Sequence, residues 1–161
     1  MIDPKEIQGA GEECFFFQGE ESGVLESWVV SKMLRDIESC KVEFQKITVE
    51  IQESTAKGVW EGGGIEQSRV EWLMAHPMEL TKPILILKRN DKIGSHKILD
   101  GNHRYIALLI ISEKLSLSKP AVPAFMISEE EAEKYKLSGV SALNKKQMAL
   151  FLATPRQDLP A

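Results

Sequence analysis

The chain has 161 residues, of which 43% are hydrophobic and 27% are charged, and its formal net charge is −4. This length and composition are typical of one globular domain with a buried core. The acidic balance argues against a protein that grips nucleic-acid backbones over a broad basic face, although it permits a local basic patch.

Neither a membrane span nor a secretion signal is expected. The longest apolar run, residues 105–111, is far shorter than the roughly 18 residues that a transmembrane helix needs. The first residues, MIDPKEIQGAGEE, are polar and acidic, unlike a signal peptide. Cys14 and Cys40 lie far apart and form no CxxC pair. These features predict a cytoplasmic protein with two reduced thiols.

The N-terminal part, residues 1–45, is expected to be an extension of the main domain. Residues 1–22 read as a loose leader, with a short apolar strand or anchor at 14–19. Residues 24–40 predict an amphipathic helix, because apolar residues recur at helical spacing with charged residues between them. Those apolar residues are Leu25, Trp28, Val29, Met33 and Ile37. This helix is a candidate surface for a protein partner.

Residues 46–76 are predicted to contain a strand, a loop and a helix. KITVEI at 46–51 alternates apolar and polar residues and predicts a strand. Residues 52–64 are rich in turn-forming residues, including three consecutive glycines, and predict a loop. Residues 65–76 predict a helix that Pro77 ends. Trp60, like Trp28, is expected to anchor a core rather than to stack on a base.

A hairpin and a long helix are predicted in the middle of the chain. PILIL at 83–87 reads as a buried strand, 88–95 as a turn and HKIL at 96–99 as the returning strand. A helix is then expected from Asn102 to about Leu115.

The remaining residues predict one more strand and two helices. The strand is 120–127, bracketed by prolines, and Ser128 is expected to cap a helix that runs to about Leu137. Residues 138–161 are expected to hold a last helix, at about 142–153, and a frayed tail. Mixed strands and helices around a tight hairpin indicate an α+β fold.

The stretch HKILDGNHRYIALLI carries the chemistry that the sequence suggests most directly. A strand that turns straight into a helix leaves free backbone N–H groups, which together with the helix dipole can bind an anion. Gly101 has no Cβ to keep a ligand away, and Asn102 is a candidate helix cap. Arg104 could grip two phosphate oxygens, and His103 could donate a hydrogen bond or titrate. Asp100 is placed to cap amides or to orient a magnesium-bound water.

A purely structural explanation fits the same residues. Asp-Gly is a common turn, and a His-Arg pair at the start of a helix can be solvated or can pair with an acidic side chain. The residues alone leave both interpretations open.

The segments KPILIL and KILDGNHRYIAL resemble the core of the ParB/sulfiredoxin superfamily, in which a hairpin leads into a glycine-containing turn with a His-Arg or Arg-Arg pair and then a helix. SRVEWLM and VPAFMISEEEAEKY are similar to the elements that flank that core. The resemblance covers residues 46–137. It implies a ParB/sulfiredoxin-like α+β fold, with a small mixed sheet, a central hairpin and packing helices.

The resemblance also implies a nucleotide site for ATP, ADP or CTP, with Mg²⁺. Gly101, Asn102, His103 and Arg104 match the phosphate-binding turn of the family. Ala107 matches its small helix position, and Arg69 or Ser68 falls near a position that helps to hold the nucleotide. Within such a site, His103, Arg104 and Asp100 would be the catalytic candidates.

Two departures from the family narrow this expectation. Sulfiredoxins have a catalytic cysteine where this chain has Asn102, so reduction of sulfinic acids is not expected. Partition proteins follow this domain with a DNA-reading helix-turn-helix region, for which the 57 residues after Arg104 (161 − 104) are too few. The resemblance therefore points to a free-standing nucleotide-binding module.

Three functions remain open. The first is a Mg²⁺-dependent nucleotide hydrolase or DNA nuclease of plasmid, phage or bacterial regulatory type, in which the turn stabilises charge on a phosphoryl group. The second is a kinase for a small molecule such as free serine. The third is a non-catalytic module in which the nucleotide regulates contact with DNA or with a protein. No protein-ligated metal is expected, because His76, His96 and His103 lack ligand spacing.

Overall fold

The computed structural model describes residues 1–19, 22–62, 64–89, 96–118 and 120–156. Over these residues the protein has two small sheets and seven α-helices, which confirms the α+β class. The helices are α1 Pro4–Ile7, α2 Val30–Glu38, α3 Glu53–Glu61, α4 Gln67–Ala75, α5 Asn102–Lys114, α6 Glu129–Ala132 and α7 Lys145–Ala153. The strands are β1 Cys14–Gln18, β2 Leu25–Val29, β3 Gln45–Glu50, β4 Ile84–Lys88, β5 Lys97–Asp100 and β6 Ala121–Ser128.

The contacts divide the chain into two compact units, one formed by residues 1–43 and 128–161 and the other by residues 44–127. The candidate turn lies in the second unit. Residues 128–137, which the resemblance assigns to the core, group with the N-terminal residues.

The first unit is built around an antiparallel hairpin of β1 and β2, with Cys14 opposite Val29 and Gln18 opposite Leu25. Its apolar cluster consists of Ile2, Leu25, Val29, Leu137, Val140 and Met148. The predicted helix over 24–40 is therefore wrong in its first part, because residues 25–29 form a strand. Leu25, Ser27 and Val29 alternate along this strand and form its inward face. The alternation is recognised as a strand only when the pairing with β1 is known.

The structure buries the apolar face predicted for residues 24–40, which the sequence suggests as a surface for a protein partner. Trp28 and Met33 are 2% and 0% exposed, and Ile37 is also buried. The apolar side chains that the sequence offers to a partner are thus already packed. The predicted loose leader is wrong as well, since Ile2 is buried and its N–H donates to the carbonyl of Lys136 at 2.8 Å.

The second unit carries a four-stranded sheet in the order β3-β6-β4-β5. β3 pairs with β6 and β4 with β5, both in antiparallel register. The predicted strands at 46–51, 83–87, 96–99 and 120–127 are thereby confirmed to within one or two residues. The predicted turn at 88–95 falls mostly on residues outside the described ranges.

One prediction in this unit fails. Residues 52–64, expected to be a loop, contain α3, which runs from Glu53 to Glu61 despite Gly58 in its interior. Ala56 is buried in the main apolar cluster, and the hydroxyl of Tyr105 accepts a hydrogen bond from the N–H of Gln52, just before the helix, at 2.9 Å. These tertiary contacts offset the weak helix propensity of the glycine. Trp60 lies on α3 and is 48% exposed, so it does not anchor the core, whereas Trp28 is buried as predicted.

The core of the second unit forms between the sheet and the helices α3, α4 and α5. It includes residues from the predicted central helix, namely Tyr105, Ile106 and Ala107, and the strand residues Ile84 and Ile86. The apolar run after Arg104 therefore packs on the core of this unit, with residues 105–107 buried and residues 108–111 partly buried. No helix in the described part of the chain has the length and apolar character to cross a membrane.

Candidate phosphate-binding turn

The turn between β5 and α5 is shaped by Gly101. β5 ends at Asp100, Gly101 has φ 96°, and α5 begins at Asn102. A Cβ at this glycine would lie 2.5 Å from Cγ2 of Ile84 on β4. Two facts therefore require glycine here: a left-handed backbone and close packing on the neighbouring strand. Both reasons concern the packing of the protein itself. The sequence suggests a different reason for the glycine, namely room for a ligand to approach the backbone.

No side chain within the described ranges caps the first turn of α5. The sequence predicts Asn102 as the cap, and this is wrong: its Nδ2 donates backward to the carbonyl of Ile98 at 3.2 Å. The first amides of a 13-residue helix are thus left without a side-chain acceptor, at the positive end of the helix dipole. This is the property that an anion site requires.

Arg104 lies in the same turn but is already bound. Its Nη1 donates to the carbonyls of Lys82 and Pro83 at 2.8 and 2.9 Å, and its Nη2 donates to Oδ2 of Asp100 at 2.8 Å. The side chain is only 13% exposed. The guanidinium therefore joins the residues just before β4 to the end of β5, and its partner Asp100 is held in an ion pair.

His103 also has a structural partner. Its Nε2 accepts a hydrogen bond from the N–H of Glu66 at 3.1 Å, which places a neutral ring with its proton on Nδ1. Burial is the main influence that lowers the pKa of His103; the Glu66 carboxylate opposes this shift and the Arg69 charge adds to it. Because Glu66 immediately precedes α4, this bond holds the N-termini of α4 and α5 together.

Ser68 and Arg69 lie in the first turn of α4, and both are exposed. Arg69 is close enough to His103 to lower its pKa. The pKa of Glu79 is also lowered, chiefly by its hydrogen bond to Lys82, with further contributions from the charges of Lys82, Arg69 and Arg104. The structure thus brings Arg69, His103 and Arg104 into one electrostatic neighbourhood, and Ser68 directly precedes Arg69 on α4.

Four further residues belong to this neighbourhood, although the sequence pattern does not single them out. Glu79 and Lys82 form an ion pair at 2.6 Å on the turn that follows α4. Tyr105, read only as part of an apolar run, caps α3 through its hydroxyl. A buried tyrosine needs a partner for its hydroxyl, and this was the available signal. The fourth residue is Trp72, on the exposed side of α4.

The donor side chains of the described residues do not build a metal cage. Among the described residues, no group of three or more His, Cys, Asp or Glu side chains is arranged to hold a metal ion. A magnesium ion at this turn would have to take most of its ligands from phosphate oxygens and water, which is common for this ion.

Comparison of the chain with models of known protein families, with curated proteins and with solved structures found no match in any of the three.

Proposed function

We propose that this chain is a ParB/sulfiredoxin-like nucleotide-binding protein whose phosphate site is the first turn of α5. The observation that carries the proposal is the uncapped start of this helix, after a left-handed Gly101, beside the cationic side chain of Arg69. Backbone donors at a helix N-terminus bind phosphate through both hydrogen bonds and the dipole. The proposed ligand is ATP, ADP or CTP with Mg²⁺ bridging its phosphates.

The roles proposed for the side chains follow from their partners. Arg104 and Asp100 shape the turn through their ion pair and the two carbonyl contacts. Arg69, which is exposed, supplies the positive charge that a phosphate can reach. The amides of Asn102 and His103 are the proposed direct donors.

Mg²⁺-dependent hydrolysis of the bound nucleotide, or of DNA, is the activity that the resemblance implies. In that reaction the turn would stabilise negative charge on the phosphoryl group. One observation favours the non-catalytic alternative: Arg104 and His103 are both engaged in hydrogen bonds within the protein. Product analysis with Mg²⁺ and each nucleotide, with and without serine and supercoiled plasmid, separates hydrolase, kinase, nuclease and pure binder.

The binding site is tested with a matched pair of substitutions at Asn102. Asn102→Asp puts a carboxylate beside the helix amides, where it competes with phosphate. Asn102→Ala removes the same hydrogen bond to Ile98 but adds no charge. We expect calorimetric titration to show a nucleotide affinity at least tenfold weaker in the Asp variant than in the Ala variant.

Two results would contradict this proposal. If the wild-type protein takes up neither nucleotide nor inorganic tripolyphosphate, the turn is an architectural element only. Equal affinities in the two variants would place the ligand elsewhere on the protein.

A further inference from the structure

We propose that the exposed side of α4 binds the base of the nucleotide, through a stacked group formed by Arg69, Trp72 and His76, here called the α4 stack. The inference rests on the proposed function, since it assigns the base end of a ligand whose phosphates lie at the turn before α5. It adds a platform for the aromatic ring of that ligand.

The rings of the α4 stack are held in place before any ligand arrives. The centroids of Trp72 and His76 are 4.0 Å apart with an interplanar angle of 18°, and Cζ of Arg69 lies 4.9 Å from the centroid of the Trp72 ring. Nδ1 of His76 is 2.6 Å from the carbonyl oxygen of Trp72, which fixes the imidazole. A ring fixed in this way loses little conformational freedom when a base stacks against it.

The α4 stack nevertheless remains open to solvent. Trp72 is 41% exposed although it is a large apolar side chain, and Arg69 and His76 are exposed as well. Exposed aromatic side chains next to cationic groups are the usual platform for bases, because every base has a π face.

The α4 stack is directly connected to the proposed phosphate site. Glu66, which donates to His103, precedes the first residue of α4, and Arg69 follows it by one helical turn. Trp72 lies six residues beyond Glu66, about 9 Å further along the helix axis at about 1.5 Å per residue. That separation suits a nucleotide whose phosphates lie near His103 and whose base reaches Trp72, with Arg69 between the two ends.

Trp60 provides the matched control. It lies in the same unit, on α3, and is 48% exposed, slightly more than Trp72. Among the described residues, no ring or cation stacks on it. Substitution of either tryptophan removes a similar exposed indole, but only one of them belongs to the α4 stack.

The experiment compares ligands that share phosphates and differ in the base. ATP, CTP and inorganic tripolyphosphate, each with Mg²⁺, are titrated into the wild-type protein and into Trp72→Ala, Trp72→Phe and Trp60→Ala. We expect one of the nucleotides to bind the wild type about tenfold more tightly than tripolyphosphate does. Trp72→Ala should lose this preference and keep its tripolyphosphate affinity, Trp72→Phe should retain part of it, and Trp60→Ala should behave as the wild type.

Other outcomes overturn the inference in distinguishable ways. If tripolyphosphate binds and Trp72→Ala leaves the nucleotide preference intact, the base lies elsewhere and the proposed phosphate site stands. If Trp72→Ala weakens tripolyphosphate as much as the nucleotides, Trp72 acts on the shape of the site and not on the base. Absence of binding by every ligand to the wild type removes both proposals together. Trp72-dependent binding of a single-stranded oligonucleotide, without binding of mononucleotides, would assign the α4 stack to nucleic acid instead.

Discussion

The first turn of α5 and the exposed side of α4 lie next to each other and use their polar side chains in opposite ways. In the turn, Arg104 makes three hydrogen bonds inside the protein, and His103 accepts one from Glu66. On α4, Arg69 and Trp72 stack on each other at the surface. The most recognisable residues of the sequence therefore build the turn, while the side chains open to solvent come from a helix with a less distinctive pattern.

This contrast gives the side chains of His103 and Arg104 a structural role. Phosphate binding at the turn would depend on backbone amides that the side chains hold in position. The side chains of the turn should then matter mainly for stability, and those of α4 mainly for binding. Substitutions in the turn and on α4 test that division.

Gly101→Ala should be the most damaging change in the turn. The added Cβ would lie 2.5 Å from Cγ2 of Ile84, and the backbone has φ 96°. Overpacking and left-handed strain together should cost about 3 kcal/mol of unfolding free energy, measured by urea denaturation. Gly64→Ala is the control, because Gly64 has φ 79° but nothing within 4 Å of the added Cβ. That variant should lose only about 1 kcal/mol; an equal loss in both would mean that packing on Ile84 is unimportant.

Arg104→Lys should destabilise the protein although it keeps the charge. A lysine cannot reach both carbonyls and Asp100 at once, so partly buried acceptors lose their donor, at a cost of about 2 kcal/mol. Arg69→Lys, on the exposed side of α4, should change the unfolding free energy by less than about 0.5 kcal/mol. The comparison is made by urea denaturation. If the Arg69 variant proved the less stable of the two, the division between a structural turn and an open helix face would be wrong.

His103 should add a modest dependence of stability on pH. Its pKa is lowered in the folded protein, mainly by burial, so the unfolded chain binds more protons once the pH falls below about 6.5. Stability should therefore be full above that pH and should decline as the pH falls from there toward the lowered pKa of the folded state. Protonation would also remove the acceptor of the Glu66 N–H.

This prediction is checked by measuring the unfolding free energy between pH 5.5 and 8. Ordinary carboxylates stay ionised over this range, so they do not contribute to the decline. His103→Gln should flatten the decline, because the amide oxygen can accept the same hydrogen bond and does not titrate. A decline that persists in His103→Gln would assign the titration to another group.

Much of the secondary structure could be read from local pattern. Strands at 46–51, 83–87 and 120–127 were found because alternation and flanking prolines are local signals. The helix from Asn102 was found because an apolar run follows a turn. The cap of α6 was also correct, as Ser128 accepts from the N–H of Glu131.

The failures share a physical cause, since each depends on contacts with residues outside the segment itself. The pattern of residues 25–29 favours a helix because it does not show the strand β1, which lies about ten residues earlier and pairs with β2. The composition of residues 52–64 favours a loop because the buried Ala56 and the hydrogen bond from Gln52 to Tyr105, which stabilise α3, are tertiary contacts. The sequence places Trp60 in the core because nothing local distinguishes an exposed indole from a buried one.

The candidate site, like the secondary structure, was predictable only where its signals are local. Local sequence is enough to predict that a glycine turn with a cationic pair opens a buried helix, because turn residues and apolar periodicity are local signals. The roles of those residues depend on how the helices and strands pack. The tertiary structure surrounded Arg104 with three acceptors, gave His103 the N–H of Glu66 and left Arg69 with Trp72 at the surface, because burial and hydrogen-bond partners are set by which elements pack together.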